Sequence, residues 1–294
     1  MTNRWPHQSY AIREFQRLKA EGCRRICITS PTGGGKSMIT RDLIDLHETS
    51  ALYLDRCMLF DQTGEGLDTH GLHVGYRAAG KDVDYTAPVQ LCMRQTEHNY
   101  VTKHRARDVH PADLVVFDEA HNQSADAAQE LMRLHLEANP NAVIVGTTAT
   151  PAGLGHCYDE LIIAGTNSDM RRCGAHVPAY VYAPNEPDIK KNTEDVTETV
   201  ARNAMGKVGK AGHPMGGILL HGNIIGHWLE HNPEQKPTIG FAPGVPESRW
   251  LCHEFEKEGI PSGHIDGDIT IIRGEQYDTD TDTRAKLIDA YLAG

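Results

Sequence analysis

Ser30-Pro31-Thr32-Gly33-Gly34-Gly35-Lys36-Ser37 decides how this chain is read. The segment follows a short apolar run, Ile26–Thr29, and precedes Met38, Ile39, Leu43 and Leu46, which recur at helical spacing. A buried strand, a glycine-rich turn and a helix in that order form a phosphate-binding device. Glycines let backbone N–H groups close around phosphate oxygens, and the helix N-terminus adds the positive end of its dipole. Lys36 is placed to reach β- and γ-phosphates, Thr32 and Gly33–Gly35 to line the loop, and Ser37 to hold Mg²⁺. The strict pattern has Gly where Ser30 stands, so a glycine-rich turn that happens to contain Gly-Lys-Ser is the competing reading. The strand before it and the helix after it weigh against that reading.

A second apolar run, Leu114–Phe117, leads straight into Asp118-Glu119-Ala120-His121, 82 residues (118 − 36) after the lysine. Two acids at the end of a buried strand suit metal-assisted phosphoryl transfer. Asp118 is a candidate for the metal's shell, and Glu119 for orienting and deprotonating an attacking water. Such groups belong at the C-terminal end of a parallel strand, where the phosphate loop also lies. Two solvated acids in a loop are the alternative.

Outward from these motifs, residues 1–165 alternate short apolar runs (Ala51–Leu54, Val89–Cys92, Val143–Val145) with helical stretches such as Ala11–Leu18. That alternation predicts an α/β domain with a mostly parallel sheet flanked by helices. Residues 166–216 are polar and punctuated by Pro178, Pro184 and Pro187, and read as an extended connector with some strand content. Residues 217–294 read as a second unit. Its expected parts are a short helix over Asn223–His231, an α/β unit that begins at Thr238–Phe241 with a helix over Ser248–Lys257, and a solvated acidic turn at Asp278–Asp282.

Composition narrows the class. Hydrophobic residues make up 39% and charged residues 23%, as in a globular protein. No apolar run approaches a membrane span, and MTNRWPHQ lacks the apolar core of a signal peptide, so a cytoplasmic protein without membrane association is expected. Seven cysteines, odd in number and without a CxxC pair, read as reduced and largely buried thiols. Seventeen histidines read as scattered surface and core residues rather than ligands. The net charge of −11 argues against coating nucleic acid through bulk positive charge, and leaves room for a few local phosphate contacts.

Together, the phosphate loop and Asp118-Glu119-Ala120-His121 resemble superfamily 2 helicases of the DEAH-box type, close to the bacterial and phage enzymes related to restriction-enzyme motor subunits. The resemblance extends through Thr148-Ala149-Thr150-Pro151, similar to the motif that couples the ATP site to nucleic acid, and implies coupling roles for His121, Thr148 and Thr150. Trp5-Pro6-His7-Gln8 resembles the adenine-reading segment, which gives Gln8 the adenine; an ordinary N-terminal polar residue is the competing reading. Asp55-Arg56-Cys57 and Ala87-Pro88-Val89-Gln90 resemble backbone-contacting motifs, which makes Arg56 and Gln90 candidate nucleic-acid contacts; a surface salt bridge is the alternative for Arg56. Thr238-Ile239-Gly240-Phe241 to Ser248, with Gly259-Ile260 and His264-Ile265-Asp266-Gly267 after it, resembles the start of a second RecA-like domain. The expectation is thus a RecA-like P-loop domain and an incomplete second one, using ATP and Mg²⁺ on nucleic acid, DNA more than RNA.

The family's arginine-finger motif, Gln-x-x-Gly-Arg-x-x-Arg, occurs nowhere in the 294 residues. The chain is therefore expected to be truncated relative to the family: a fragment, one half of a split gene with the missing motifs on a separate chain, or a degenerate copy. Two other readings stay open. One is a nucleotide-dependent binding module that grips nucleic acid without unwinding it. The other is a small-molecule kinase, against which Thr148–Thr150 and Asp266-Gly267 speak.

Overall fold

The structure is a computed structural model and describes residues 4–55, 57–122, 126–182, 224–242 and 244–293. The chain divides into two compact units, Met1–Ala179 and Tyr180–Gly294. Most of the expected connector, residues 183–216, lies outside the described residues.

In the first unit, α1 (Pro6–Ala20) precedes β1 (Arg25–Thr29), α2 (Lys36–Ile44), β2 (Ser50–Leu54), α3 (Cys57–Thr69), β3 (Val74–Arg77) and β4 (Val89–Met93). After α4 (Arg94–His98) come β5 (Leu114–Asp118), α5 (Asp126–Ala138), β6 (Val143–Thr148), β7 (Glu160–Ile163) and α6 (Asn167–Arg172). The seven strands form one sheet in the order β3-β4-β2-β5-β6-β1-β7, and every pairing is parallel. Helices cover both faces, which gives the RecA-like α/β fold that the alternating pattern predicts.

The period of two along each strand divides the core into two layers. Leu52, Leu54, Leu114, Val116, Val143 and Val145 point to the face packed by Phe15 of α1 and by Ile39 and Leu43 of α2. Ala51, Tyr53, Val115, Phe117 and Ile144 point to the opposite face, against Leu131 and Met132 of α5. Strands buried on both faces read as unbroken apolar runs, which is why β2, β4, β5 and β6 are legible as sequence. The edge strands differ. On β7, Leu161 and Ile163 are about half exposed, and β3 is only four residues long. Met170 of α6 is fully buried and would meet a Cβ placed on Gly34 or Gly165, so α6 is docked on the first unit. A helix thus occupies a stretch expected to be extended.

The second unit contains α7 (Ile224–His231), α8 (Val245–Lys257), β8 (Gly263–Ile265), β9 (Ile269–Ile272), β10 (Glu275–Asp278) and α9 (Thr281–Ala293). Its strands pair antiparallel in the order β10-β9-β8. Thr238–Phe241, where the second α/β unit is expected to begin, pairs with no strand among the described residues, and Phe241 is 96% exposed. The acidic stretch at 278–282 is the end of β10 and the start of α9, with Asp280 accepting from the Thr283 N–H at 2.7 Å as a helix cap. Asp266 fixes the turn into β9 by accepting from the N–H groups of Asp268 and Ile269, both at 2.7 Å. Two of the histidines are not scattered. His227 and His231 lie four residues apart on α7 with Glu230 beside them, a spacing that the sequence reading passed over.

Among the described residues, Cys27, Cys92, Cys157 and Cys252 are buried, and Cys23 and Cys173 half-buried. Among the described residues, no helix is long and apolar enough to cross a membrane.

Candidate nucleotide site

Parallel pairing places the ends of β1, β5 and β6 side by side. Thr29 pairs with Thr148 and Asp118 with Thr147, so the phosphate loop, the acidic turn and the Thr-Ala-Thr segment leave the sheet at one edge. The loop is anchored there by the Ser30 N–H, which donates to the Thr148 carbonyl at 3.1 Å.

Each loop glycine has its own reason. Gly33 and Gly35 both have φ of 78°, the left-handed region that disfavours any side chain. Gly34 lies outside that region, but a Cβ there would lie 2.3 Å from Ser30 Oγ and 2.9 Å from the Pro31 carbonyl oxygen. Gly35 is the N-cap of α2, so Lys36 and Ser37 begin the helix and their N–H groups face the loop. Ser30 Oγ is buried without a hydrogen-bond partner. The hydroxyl therefore sits inside the loop where the strict pattern has only hydrogen.

Lys36 Nζ lies 4.0 Å from Glu119 Oε1. Glu119 has φ of 49°, an uncommon conformation for a residue with a Cβ. It turns the chain out of β5 into a short helical turn, Ala120–Asn122, closed by the Asn122 N–H donating to the Glu119 carbonyl at 2.9 Å. On the other side of this turn, His121 Nδ1 is 3.4 Å from Glu119 Oε2 and 3.0 Å from Thr148 Oγ1. Thr148 Oγ1 accepts from the Thr150 N–H at 3.0 Å. One connected chain thus runs Lys36–Glu119–His121–Thr148–Thr150. Asp118 accepts from the Thr147 hydroxyl at 2.8 Å. Gly146, one residue earlier, allows β6 to approach its neighbours: a Cβ there would lie 2.4 Å from the Tyr158 ring and 2.9 Å from Ala120 Cβ.

Gln8 meets the loop from the other side. Its Oε1 accepts from the Trp5 N–H at 3.0 Å, which closes the first turn of α1, and its Nε2 faces the Gly34 carbonyl at 3.4 Å. His7 Nε2 donates to the same carbonyl at 2.8 Å. Beside His7 opens a cleft of about 580 Å³, walled by Pro6, Tyr10 and Ile163 and by Asp169, Arg172 and Cys173 of the α6 region. That volume falls within the usual range of small-ligand sites. His176, past α6, donates from Nε2 to the Thr32 carbonyl at 2.5 Å and lies 3.1 Å from where a Gly33 Cβ would stand.

The structure therefore brings Gln8, Thr32–Ser37, Asp118, Glu119, His121, Thr148 and Thr150 to one edge of the sheet. It does not place Gln90 there. Gln90 is fully buried, accepts from Arg77 Nε at 3.0 Å and donates to the Asp84 and Ala87 carbonyls at 2.8 Å each. Both ends of its amide serve the protein interior, so the expected nucleic-acid contact at Gln90 is corrected to a structural role. Arg56 lies outside the described residues. His7, Thr147 and His176 were not anticipated. Thr147 stands beside a recognised motif, and His7 beside Gln8; His176 arrives from 144 residues beyond Thr32, and no local pattern marks it.

The glycine cradle, Lys36 at a helix start, the orphan Ser30 hydroxyl and the two acids fit a nucleoside triphosphate with its divalent cation. The sequence pattern of the type III restriction enzyme res subunit matches residues 3–153, just over half of the chain. The chain belongs to that family. In the res-subunit family match, the covered residues run from the segment before α1 past β6, and so contain the whole connected chain from Lys36 to Thr150. Among curated proteins none matches the chain. Two of the solved structures similar to the chain are helicases. One is a hypothetical ATP-dependent RNA helicase from Sulfolobus tokodaii, at 18% identity and a TM-score of 0.43, over 55% of this chain and 53% of that one. The other is the Hef helicase domain of Pyrococcus furiosus, at 16% identity and a TM-score of 0.42, over 99% of this chain and 57% of that one. The chain thus spans little more than half the length of either.

Proposed function

We propose that this chain is the ATP-binding part of a DEAH-type helicase or translocase acting on nucleic acid, DNA in preference to RNA, in the cytoplasm. One observation carries the reading: the connected chain from Lys36 through Glu119 and His121 to Thr148. A kinase needs the lysine and the acids. It has no need of a histidine that links the acidic turn to the end of the next strand.

In this reading Lys36 and the N–H groups of Thr32–Ser37 hold the phosphates, and the base enters the cleft beside His7 and Gln8. Ser37 and Asp118 hold Mg²⁺, which neutralises charge building on the phosphate oxygens. The Thr147 hydroxyl fixes the rotamer of Asp118 for that task. Glu119 orients the attacking water and accepts its proton at a carboxylate oxygen. His121 shares Glu119 with Lys36 and also touches Thr148, so a change of partner at Glu119 alters the hydrogen bond at Thr148. Thr150 carries that change onto the segment leaving β6. Arg56 remains the proposed backbone contact, and binding through it falls with salt.

A second reading has a specific feature in its favour. The 294 residues hold no Gln-x-x-Gly-Arg-x-x-Arg motif, and loss of an arginine finger costs about 10³–10⁵ in rate. By themselves residues 1–294 then act as a nucleotide-dependent grip on nucleic acid with slow turnover.

ATP turnover with and without single-stranded DNA, beside Lys36→Ala and Glu119→Gln, tests both readings. The expected result is tight nucleotide binding that Lys36→Ala removes, with turnover slow in every version. Fast, DNA-stimulated turnover abolished by both substitutions would favour a self-sufficient motor. Nucleotide binding indifferent to Lys36→Ala would overturn the site itself.

A further inference from the structure

The second unit carries a cluster of donor side chains that the nucleotide chemistry does not use. His227-Trp228-Leu229-Glu230-His231 forms the last turn and a half of α7, and the donor atoms of His227, Glu230 and His231 all lie within 4.8 Å of one another. His227 Nδ1 and Glu230 Oε2 are 3.6 Å apart. A tetrahedral zinc ion with bonds near 2.0–2.1 Å holds its donors about 3.3 Å apart. The first pair already meets that spacing, and side-chain rotations of roughly 1 Å close the widest gap.

We infer that His227, Glu230 and His231 form a binding site for a divalent transition-metal ion of the zinc class. The alternative is a solvated helix face with one weak His–Glu pair. Three observations favour the metal. First, α7 is fixed by other side chains, which leaves the donors in place. The Trp228 ring stands edge-on to Phe255 of α8 at 5.4 Å, and its Nε1 donates to Thr238 Oγ1 at 3.0 Å. Second, the His231 ring is stacked on Tyr182 at 3.9 Å between centroids and 19° between planes. Stacking holds the plane of the imidazole, whose nitrogens lie at the rim of the ring. Third, the cluster occupies the C-terminal turn of a helix, where the negative end of the dipole favours a cation.

The donor set fixes the ion's class. Two imidazoles and one carboxylate suit Zn²⁺, Ni²⁺ or Cu²⁺, whereas Mg²⁺ and Ca²⁺ take oxygen ligands. The site therefore discriminates against the cation proposed at Ser37 and Asp118. His-x-x-Glu-His also occurs in zinc peptidases, with the glutamate as base. Here the Glu230 carboxylate, with its side chain 66% exposed, lies among the donor atoms themselves. The geometry assigns binding, with water in the fourth position, and not hydrolysis.

Titration of the full chain with zinc chloride at neutral pH, followed by calorimetry, tests the inference. Cysteine thiols also take zinc, so the readout is the difference between variants. One zinc equivalent in the wild type should weaken in His227→Ala and in His231→Ala. The loss should be at least the about 10–100-fold that removal of an outer-shell partner costs at metal sites. Glu230→Gln should weaken it in the same direction, and excess magnesium should leave it unchanged. Zinc should raise the thermal midpoint of the wild type more than that of the double variant His227→Ala/His231→Ala. His231→Ala also gives up the ring stack on Tyr182, so the zinc-induced shift of each version is read against its own metal-free midpoint, which separates lost binding from lost folding. Equal zinc affinity in the wild type and the double variant, or displacement by magnesium, overturns the site.

Discussion

Glu119 is where local conformation and proposed chemistry conflict. Its φ of 49° places a side-chain-bearing residue in the left-handed region, at a cost of about 1–2 kcal/mol. Strain of this kind persists only where the surroundings over-determine it, and it gathers at functional sites. Here the turn that incurs it aims the carboxylate at Lys36 and places His121 against Thr148. Glycine would relieve the strain and lose about 0.5–1 kcal/mol through its freer unfolded chain. Glu119→Gly should therefore raise the free energy of unfolding by about 0.5–1 kcal/mol in denaturant titration. It should at the same time remove whatever ATP turnover the chain has. A less stable variant would show that Glu119 is held by contacts rather than strained.

Among the elements, legibility follows burial. The central strands carry apolar side chains on both faces, so each announces itself as an unbroken run. The edge strands do not, and β3 is the clearest case. Val74-Gly75-Tyr76-Arg77 contains an arginine that is 4% exposed. Arg77 can sit there because Glu97 takes Nη1 at 2.6 Å and Gln90 takes Nε at 3.0 Å, while Arg107 also pairs with Glu97. Those partners lie 13 and 20 residues away in sequence, and nothing at Arg77 foretells them. The same network explains why Gln90 reads as a surface contact and is an interior one. The phosphate loop and the acidic turn were legible because backbone and chemistry constrain neighbouring residues together. His176 was not, because its partner, Thr32, lies in a distant segment.

Between β2 and α5 lies a contact that makes stability depend on pH. Tyr53 stacks on Phe117 at 4.7 Å, and its hydroxyl lies 2.7 Å from His135 Nε2. Burial drives the His135 imidazole down to about 3, so it is neutral in the folded protein. An unfolded histidine takes up its proton near pH 6.5. With the folded value depressed, the unfolded state binds the extra proton, and stability is full above about pH 6.5 and lost as pH falls toward 3. The slope is about 1.4 kcal/mol per pH unit over that window. His135→Gln keeps a hydrogen-bond partner for Tyr53 and does not titrate. Urea unfolding of wild type and variant should therefore converge by about 2 kcal/mol between pH 6.5 and pH 5. Parallel stability curves would mean that the buried imidazole does not set the acid limit.

At the scale of the whole molecule, the nucleotide chemistry and the large cores belong to the same unit. Both hydrophobic clusters draw only on residues between Ala11 and Ala164, and the site runs from His7 to His176, all within Met1–Ala179. A polypeptide of residues 1–179 keeps every strand of the parallel sheet, the docked helix α6 and the His176 contact to the loop. It should fold on its own, with both hydrophobic clusters intact. It should also bind a non-hydrolysable ATP analogue within about threefold of the full chain, a difference under about 1 kcal/mol. Ending the polypeptide at residue 165 instead removes α6, exposes the Gly165 side of the cleft and takes away His176. That shorter version should bind the analogue more weakly than the 1–179 polypeptide. Equal binding by both would show that the α6 wall and His176 stand outside the nucleotide's reach. Loss of binding in both would place part of the site in the second unit.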